Sequence, residues 1–170
     1  VMEFGFSKEL DLLREMYKKF AETEIKPLAE ELDEEERFPV ESIPKLARYG
    51  FMGIPFPKEY GGAGGNYLTY AMAIEELGKV CGTTAVVVSA HTSLCAGPIY
   101  YFGTEEQKQK YLVPLAKGEK VGAFGLTEPS AGTDSSMQQT TAKLEGDEYV
   151  LNGTKVFITN AGYADIYVVI

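Results

Sequence analysis

Gly125-Leu-Thr-Glu-Pro-Ser-Ala-Gly-Thr-Asp134 is the stretch of this sequence that decides the fold, and Phe157-Ile-Thr-Asn160 follows it downstream. Small and large residues alternate from Val121 to Thr127, as they do in a strand that enters a sheet. Glu128-Pro129 ends that strand, and the next residues are small and turn-forming, so a ligand can approach the backbone closely. Such a loop offers N–H groups and hydroxyls to a polar, charged cofactor. The paired motifs therefore predict a cofactor-binding loop rather than an ordinary connection.

The composition allows one sizeable core, or a domain and a half, in 170 residues of which 45% are hydrophobic. The net charge is −9 and the basic residues are scattered, so no basic stripe can neutralise phosphates and no nucleic-acid partner is expected. No apolar run in the sequence reaches membrane-spanning length, and no membrane partner is expected. Cys81 and Cys95 are too few and too far apart for a disulfide framework or a zinc site. We therefore expect apolar packing for both, no metal, and a reducing, soluble compartment.

Up to about Lys120 the apolar residues recur at helical spacing, beginning with a helix capped by Ser7. The apolar stripe of that helix comprises Leu10, Leu13, Tyr17 and Phe20. Pro27 is expected to end or kink it. A shorter helix should end at Gly50, and residues 51–57 are predicted to be extended. The inward residues of the shorter helix are Ile43, Leu46 and Ala47.

The glycine cluster Tyr60-Gly-Gly-Ala-Gly-Gly65 allows two interpretations. It has the composition of a phosphate cradle, but a dinucleotide fingerprint follows a buried strand, and no such strand precedes Gly61. The alternative, a flexible turn before a helix capped by Asn66, is favoured. The inward face of that helix is predicted to comprise Ala71, Ile74 and Leu77.

Residues 83–102 form the most apolar stretch, which predicts a helix buried on every side. His91, the only histidine, is either a catalytic base or a packing residue with satisfied hydrogen bonds. No Ser, Cys or Asp motif surrounds it, so packing is favoured. Thr104-Glu-Glu-Gln107 is a capping box that opens one more helix, which should end at Gly118. Its inward residues are predicted to be Tyr111, Leu112 and Leu115.

After Gly118 the period changes to two, which indicates strands. Gly146-Asp147 and Asn152-Gly153 are hairpin signals. They separate three short segments, and Asp165 opens a further strand to Ile170, so an antiparallel meander is expected. The three segments are 141–145, 148–151 and 154–159. A sheet that stops here has an unpaired edge, so we expect a fragment of a longer protein.

The whole chain resembles the acyl-CoA dehydrogenase family, flavoenzymes that oxidise acyl-CoA thioesters between Cα and Cβ. Besides the two opening motifs, the resemblance rests on Tyr60-Gly-Gly62 and Gly103-Thr-Glu-Glu-Gln-Lys-Gln-Lys-Tyr-Leu112. It implies an α+β chain organised by segment, in which residues 1–120 form an N-terminal helical domain. Residues 121–170 would form the first, truncated part of a flavin-binding middle β-domain, with the C-terminal helical bundle absent. Leu94-Cys-Ala-Gly-Pro98 and Ala123-Phe-Gly-Leu-Thr-Glu-Pro129 are most similar to short-chain, butyryl-CoA-type members.

The resemblance implies FAD as cofactor, with Thr127 and Thr159 hydrogen-bonded to the flavin ring and Thr133 touching CoA. Phe157 stands where many relatives carry Trp, and Met137 where a small residue is usual. The implied cofactor contacts are Phe124, Gly125, Leu126, Thr127, Gly132, Thr133, Phe157, Ile158 and Thr159. The implied substrate contacts are Thr133 and, along the acyl pocket, Val87, Ser89, Ala90 and Leu94.

No catalytic residue is expected within this chain, because the family's base is a glutamate in the C-terminal part. That base removes the α-proton while the flavin takes hydride from Cβ, and Glu128 is interpreted as a structural carboxylate. The resemblance implies that residues 1–170 alone are inactive. It also implies an electron-transferring flavoprotein as partner, a homotetramer, and a location in the bacterial cytoplasm or, in a eukaryote, the mitochondrial matrix. The alternatives are an acyl-CoA oxidase, which passes electrons to oxygen, and a non-catalytic flavin- or acyl-CoA-binding module.

Overall fold

The computed structural model describes residues 5–170, and the first part of this range is helical. Three π-helical turns, Ala21–Ile25, Ala90–Ala96 and Lys108–Leu112, each join two α-helices without a break. The α-helices are α1 (Lys8–Phe20), α2 (Lys26–Glu34), α3 (Ser42–Arg48), α4 (Tyr67–Gly78), α5 (Gly82–Ser89), α6 (Gly97–Phe102), α7 (Glu105–Gln107) and α8 (Val113–Ala116). None of the helices within 5–170 is both long and apolar enough to cross a bilayer.

The predicted helix caps are confirmed. The N–H of Leu10 donates to the Ser7 hydroxyl at 3.3 Å, and capping boxes open α4 at Asn66 and α7 at Thr104. Pro27 was expected to end or kink the first helix. Instead it lies in the first turn of α2, directly after a π-turn. Its missing N–H is not needed there, so the chain stays helical to Glu34.

The helices pack around two apolar clusters, one that contains Phe51 and Leu77 and one that contains Phe56 and Leu112. Three sequence-based expectations for this helical part are wrong. Residues 51–57 are not extended, because Phe51–Gly53 form a 3₁₀ turn. That turn and the residues after it bury Phe51 and Phe56 completely. In α4, Leu77 is buried and Ile74 is half-buried as predicted, but Ala71 is exposed while Met72 and Ala73 are buried. Tyr111 is likewise exposed, although Leu112 and Leu115 are buried as expected.

Residues 82–102 form one continuous helical run, as predicted, but it is not buried on every side. Its inward face holds Val88, His91 and Cys95, each 0% exposed. Its outward face leaves Leu94 45% and Phe102 87% exposed. Apolar composition alone could not show which face would be covered, since an apolar helix face can also border a ligand or a partner.

The β-part begins as predicted and then departs from a meander. Strands β2 (Thr141–Glu145) and β3 (Glu148–Asn152) form the expected antiparallel hairpin. Strand β1 (Gly122–Gly125) instead pairs in parallel with β4 (Ile166–Val169). The carboxylate of Asp165 accepts the Val121 N–H at 2.9 Å, and this contact brings β4 alongside β1 in the same direction. A helical domain followed by the start of a β-domain is thus confirmed.

Asn152-Gly153 does not form the second predicted hairpin, and residues 154–159 are not a strand. A Cβ at Gly153 would lie 2.2 Å from the Thr140 hydroxyl. The chain at Gly153 therefore packs against Thr140 instead of turning back on β3. Only a single ladder-like hydrogen bond remains in this segment, from the Val156 N–H to the Thr127 carbonyl at 2.9 Å.

Candidate functional site

A cavity of about 200 Å³ lies between the helical run and the start of the β-part. Every residue that lines it is one for which the sequence predicted cofactor or acyl-chain contact. The lining residues are Ala90, Leu94, Phe124, Leu126, Thr127, Phe157, Ile158 and Thr159. The structure thus brings together segments that are up to 69 residues apart in sequence, from Ala90 to Thr159.

Three segments form the walls of this cavity. The π-turn within the helical run supplies Ala90 and Leu94. The second wall is β1 with the two residues after it, and the third is the segment from Phe157 to Thr159. The second and third walls are joined by the hydrogen bond between the Val156 N–H and the Thr127 carbonyl, so Thr127 and Thr159 are held on neighbouring backbone.

Polar and aromatic groups at this cavity are left without partners. The side chains of Thr127 and Thr159 are half-buried, and no hydrogen bond to another described residue engages either hydroxyl. Phe157 is 94% exposed and has a left-handed backbone, with φ of 57°. A bulky residue rarely adopts this conformation, which usually marks a constraint on the chain. Two free hydroxyls beside an uncovered aromatic ring are suited to a flat ligand with a polar edge.

Other predicted site residues lie outside this cavity. Val87 lines a separate cavity of about 360 Å³ together with Thr159 and Asn160. The carbonyl of Ser89 accepts the Ser93 hydroxyl at 2.6 Å. Gly125 is buried, whereas Gly132 and Thr133 are exposed on the loop that follows β1. A larger cavity of about 500 Å³, beside α6 and β4, includes none of the predicted residues.

A buried ion pair, which the sequence only half predicted, organises that loop. Glu128 is the expected structural carboxylate, and it accepts the N–H groups of Gln139 at 2.7 Å and Thr140 at 3.0 Å. Its partner Lys155, which the sequence did not single out, lies 2.8 Å away. Lys155 and the hydrogen bonds to Thr140 and Gln139 lower the pKa of Glu128 to about 2. Glu128 is therefore ionised and fully engaged, which leaves it unsuited to accept a substrate proton.

His91 is the packing residue that the sequence favoured. It is fully buried, its Nδ1 accepts the Gly122 N–H at 3.0 Å, and its Nε2 donates to the Leu115 carbonyl at 3.1 Å. Burial lowers its pKa to about 4, so the ring is neutral at pH 7. Asn160 was quoted in the motif without a role, and, like Lys155, it is a residue whose role sequence reasoning missed. Its Nδ2 donates to the carbonyls of Val87 and Gly122 at 3.1 and 3.0 Å.

The lining of the 200 Å³ cavity has no carboxylate and no histidine among the residues that the structure describes. Nor do residues 5–170 hold a cluster of three or more His, Cys, Asp or Glu side chains that could bind a metal ion. The site as described can therefore bind and orient a ligand, but no group in its lining can take up a proton at neutral pH.

Two family models match the chain along nearly its whole length. Residues 7–119 match the acyl-CoA dehydrogenase N-terminal domain, and residues 123–170 match the acyl-CoA dehydrogenase middle domain. Among curated proteins, the short-chain-specific acyl-CoA dehydrogenase of Clostridium acetobutylicum is 66% identical over 168 residues, which are 99% of this chain and 44% of that protein. The chain thus spans less than half the length of such relatives.

Solved structures show the same likeness. Butyryl-CoA dehydrogenase from Megasphaera elsdenii superposes with a TM-score of 0.91 at 46% identity, over 99% of this chain and 45% of that one. A chain in a structure described as the electron-transferring flavoprotein of Acidaminococcus fermentans has a TM-score of 0.94 at 55% identity, with 99% and 44% covered. An FAD complex of PigA has a TM-score of 0.90 at 35% identity, with 99% and 44% covered.

Proposed function

Because this chain belongs to the acyl-CoA dehydrogenase family, we propose that it forms part of an FAD-dependent enzyme that dehydrogenates short-chain acyl-CoA. Residues 1–120 form its N-terminal helical domain and residues 121–170 the first part of its flavin-binding middle domain. The observation that carries the proposal is the cavity in which Thr127, Thr159 and the uncovered Phe157 face Ala90 and Leu94. The relatives of butyryl-CoA and short-chain type support the substrate class.

The residues present fit one side of FAD. The unpartnered hydroxyls of Thr127 and Thr159 can donate to the polar edge of a flavin ring, and Phe157 can cover its aromatic surface. The N–H groups of Gly132 and Thr133 bind no other described backbone or side-chain group, so the loop after β1 can offer them to phosphate or CoA. About 200 Å³ is smaller than the roughly 300–1,000 Å³ of a complete small-molecule site. The described residues therefore hold one edge of the ring and one end of the acyl chain.

The chain's own share of the reaction is orientation and electrostatic stabilisation. Bound FAD supplies the acceptor for a hydride that leaves the substrate Cβ. Thr127 and Thr159 place hydroxyl donors where negative charge develops, which lowers the barrier without further reorganisation. Ala90 and Leu94 limit the space for the acyl chain, and their volume sets the preferred chain length. Thr133 contacts the CoA portion from the exposed loop.

We place the catalytic base outside residues 1–170. The described lining of the cavity carries no carboxylate, and Glu128 is bound to Lys155. A protein made of residues 1–170 alone should therefore bind flavin weakly and show no turnover. Measurable dehydrogenation by that segment would show that the base has been misplaced.

The electron acceptor is proposed to be an electron-transferring flavoprotein, a partner whose name accompanies one of the similar structures. A homotetramer, and a location in the bacterial cytoplasm or the mitochondrial matrix, follow as further proposals from the family. The alternative, an acyl-CoA oxidase, shares the site and differs in the access of oxygen to the reduced flavin. Rapid-mixing measurement of flavin reoxidation by oxygen and by the flavoprotein separates the two, since a dehydrogenase reacts slowly with oxygen.

The proposal is tested by adding acyl-CoA esters of four to sixteen carbons, without oxygen, to the whole FAD-loaded enzyme of which this chain is proposed to form part. Bleaching of the flavin should be fastest with butyryl-CoA and should slow as the chain lengthens beyond what Ala90 and Leu94 admit. Absence of FAD binding, or an unbleached flavin with every ester, would refute the proposed function. Fastest bleaching by a long-chain ester would refute the substrate class alone.

A further inference from the structure

Both backbone groups of Gly122 are held by side chains from other segments. Its N–H donates to Nδ1 of His91 at 3.0 Å, and its carbonyl accepts Nδ2 of Asn160 at 3.0 Å. On the other edge of β1, the Ile166 N–H donates to the Val121 carbonyl and the Ile170 N–H to the Gly125 carbonyl. Parallel pairing uses alternate residues of a strand, so Gly122 points away from β4. His91 and Asn160 thus occupy the edge of β1 that β4 leaves open.

These three residues, here called the Gly122 clamp, are buried and sterically defined. His91 is 0% and Asn160 5% exposed. A Cβ at Gly122 would lie 2.7 Å from the Cys95 side chain, so the close approach requires glycine. Asn160 has a φ of 69°, a left-handed conformation that asparagine tolerates better than most residues. Because these contacts are buried and close, the clamp can fix the backbone of β1 relative to the π-turn that carries His91 and to the segment that carries Asn160.

The clamp joins the three walls of the proposed flavin site. His91 lies next to Ala90, in the π-turn that forms the first wall. Gly122 begins β1, which leads to Thr127 in the second wall. Asn160 directly follows Thr159 in the third wall, and its amide also reaches the Val87 carbonyl in α5 at 3.1 Å. The Val156–Thr127 hydrogen bond already joins the second and third walls, and the clamp adds the contacts that hold both against the first wall. Loss of a clamp contact should therefore change the spacing between the walls.

We propose that His91 and Asn160 are positioning residues for the flavin, which fix the Thr127 and Thr159 hydroxyls against the ring by holding Gly122 from two sides. This inference rests on the proposed function. Neither side chain lines the 200 Å³ cavity, so both act through the backbone of β1 and of the 157–160 segment. Their loss should alter how the flavin is held, and not only how stable the fold is.

The test uses matched substitutions of His91 in the whole FAD-loaded enzyme. An asparagine side chain can place its oxygen near the position of Nδ1, so His91→Asn keeps an acceptor for the Gly122 N–H. Glutamine reaches the position of Nε2, so His91→Gln keeps the bond to Leu115 and loses the one to Gly122. We expect His91→Gln to weaken FAD binding roughly tenfold and to shift the flavin absorption spectrum, while His91→Asn stays within about twofold of the parent. The rate of flavin reduction should fall more than the affinity for acyl-CoA.

Two further variants complete the experiment. Asn160→Ser removes the amide contacts without adding charge, and it should reproduce the effect of His91→Gln. Leu77→Val destabilises a fully buried position in the apolar cluster that contains Phe51, and it should lower the unfolding temperature while leaving the flavin spectrum unchanged. If His91→Gln does not fold, the FAD affinity and flavin spectrum of Asn160→Ser are compared with those of the parent and of Leu77→Val instead.

Unchanged FAD affinity and spectrum in folded His91→Gln and Asn160→Ser would overturn the inference. Failure of both variants to fold would also overturn it, since the clamp would then serve folding alone. These outcomes differ from failure of the proposed function, in which the parent protein itself would bind no FAD or would not be reduced by any acyl-CoA.

Discussion

Nζ of Lys155 donates to Oε1 of Glu128 at 2.8 Å, and the side chains are 12% and 4% exposed respectively. Lys155 also donates to the Leu126 carbonyl at 2.9 Å, in the wall of the proposed flavin site. The pair therefore joins the segment directly after β1, which carries Thr127, to the segment that carries Thr159. Because a buried charge without its partner is costly, this pair holds the loop after β1 in one arrangement.

The ion pair should make stability depend on acid. The pKa of Glu128 is about 2 in the folded chain against an ordinary 4.5, so its contribution is complete above pH 4.5 and is lost as the pH falls towards 2. Glu128→Gln should reduce stability at pH 7 and flatten that part of the pH profile. Urea unfolding between pH 2.5 and 7 measures it, with exposed Glu145→Gln as the control. If the free energy of unfolding of Glu128→Gln depends on pH as steeply as that of the parent, the role of the pair is contradicted.

His91 should make the stability depend on pH in a separate range, at higher pH than the range in which Glu128 acts. Burial lowers its pKa to about 4 from an ordinary 6.5, so the unfolded chain takes up this proton before the folded chain does. Stability should be highest above pH 6.5 and should fall by roughly 3 kcal/mol between pH 6.5 and 4. Unfolding of the parent and of His91→Asn across this range isolates the effect. The same slope in both proteins would show that another group is responsible.

The hydroxyls of Thr127 and Thr159 should matter to the reaction and not to the fold. Thr127→Val and Thr159→Val each remove a donor beside the ring at nearly constant volume. The loss of one hydrogen bond to a partly charged group is worth roughly 1.5–3 kcal/mol, so flavin reduction should slow about tenfold to a hundredfold. Rapid mixing with butyryl-CoA measures the rate. Thr154→Val, at an exposed position outside the cavity, is the control, and full-speed reduction in both site variants would mean that neither hydroxyl faces the ring.

Chain-length preference should respond to Ala90 and not to Val87. Ala90 borders the cavity that holds the threonines, whereas Val87 lines a different one. Ala90→Val should shift preference towards shorter acyl chains by roughly tenfold per methylene-sized change at most. Val87→Ile should leave the preference unchanged. The measurement is the ratio of kcat/KM for butyryl-CoA to kcat/KM for hexanoyl-CoA in each variant. An equal change of this ratio in both variants would show that Val87 also borders the acyl chain.

The parts of the site that the sequence predicted are those set by local chemistry. Thr127 comes two residues after β1 and just before Glu128-Pro129, and Phe157 to Thr159 form a contiguous motif. Both motifs carry the family resemblance, so their proximity could be expected from it. Caps at Ser7, Asn66 and Thr104 were predictable for the same reason, because each needs only residues one turn away.

The parts that the sequence did not predict depend on distant partners. Lys155 and Asn160 acquire their roles from residues 27 and 38 positions away, Glu128 and Gly122. The hairpin signal at Asn152-Gly153 does not produce a turn. Gly153 lies against Thr140, in line with the β2–β3 pairing, and the Val156 N–H then bonds to the Thr127 carbonyl. Parallel pairing of β1 with β4 likewise depends on Asp165 reaching Val121, which no periodicity in either strand encodes.

The most direct test of the proposed site is a crystal structure of the protein with FAD and butyryl-CoA bound. We expect both threonine hydroxyls within about 3.2 Å of polar atoms on the flavin ring, at ordinary hydrogen-bond distance. We also expect the acyl chain to end against Ala90 and Leu94. A flavin ring bound away from Thr127 and Thr159, with the 200 Å³ cavity left empty, would contradict the assignment.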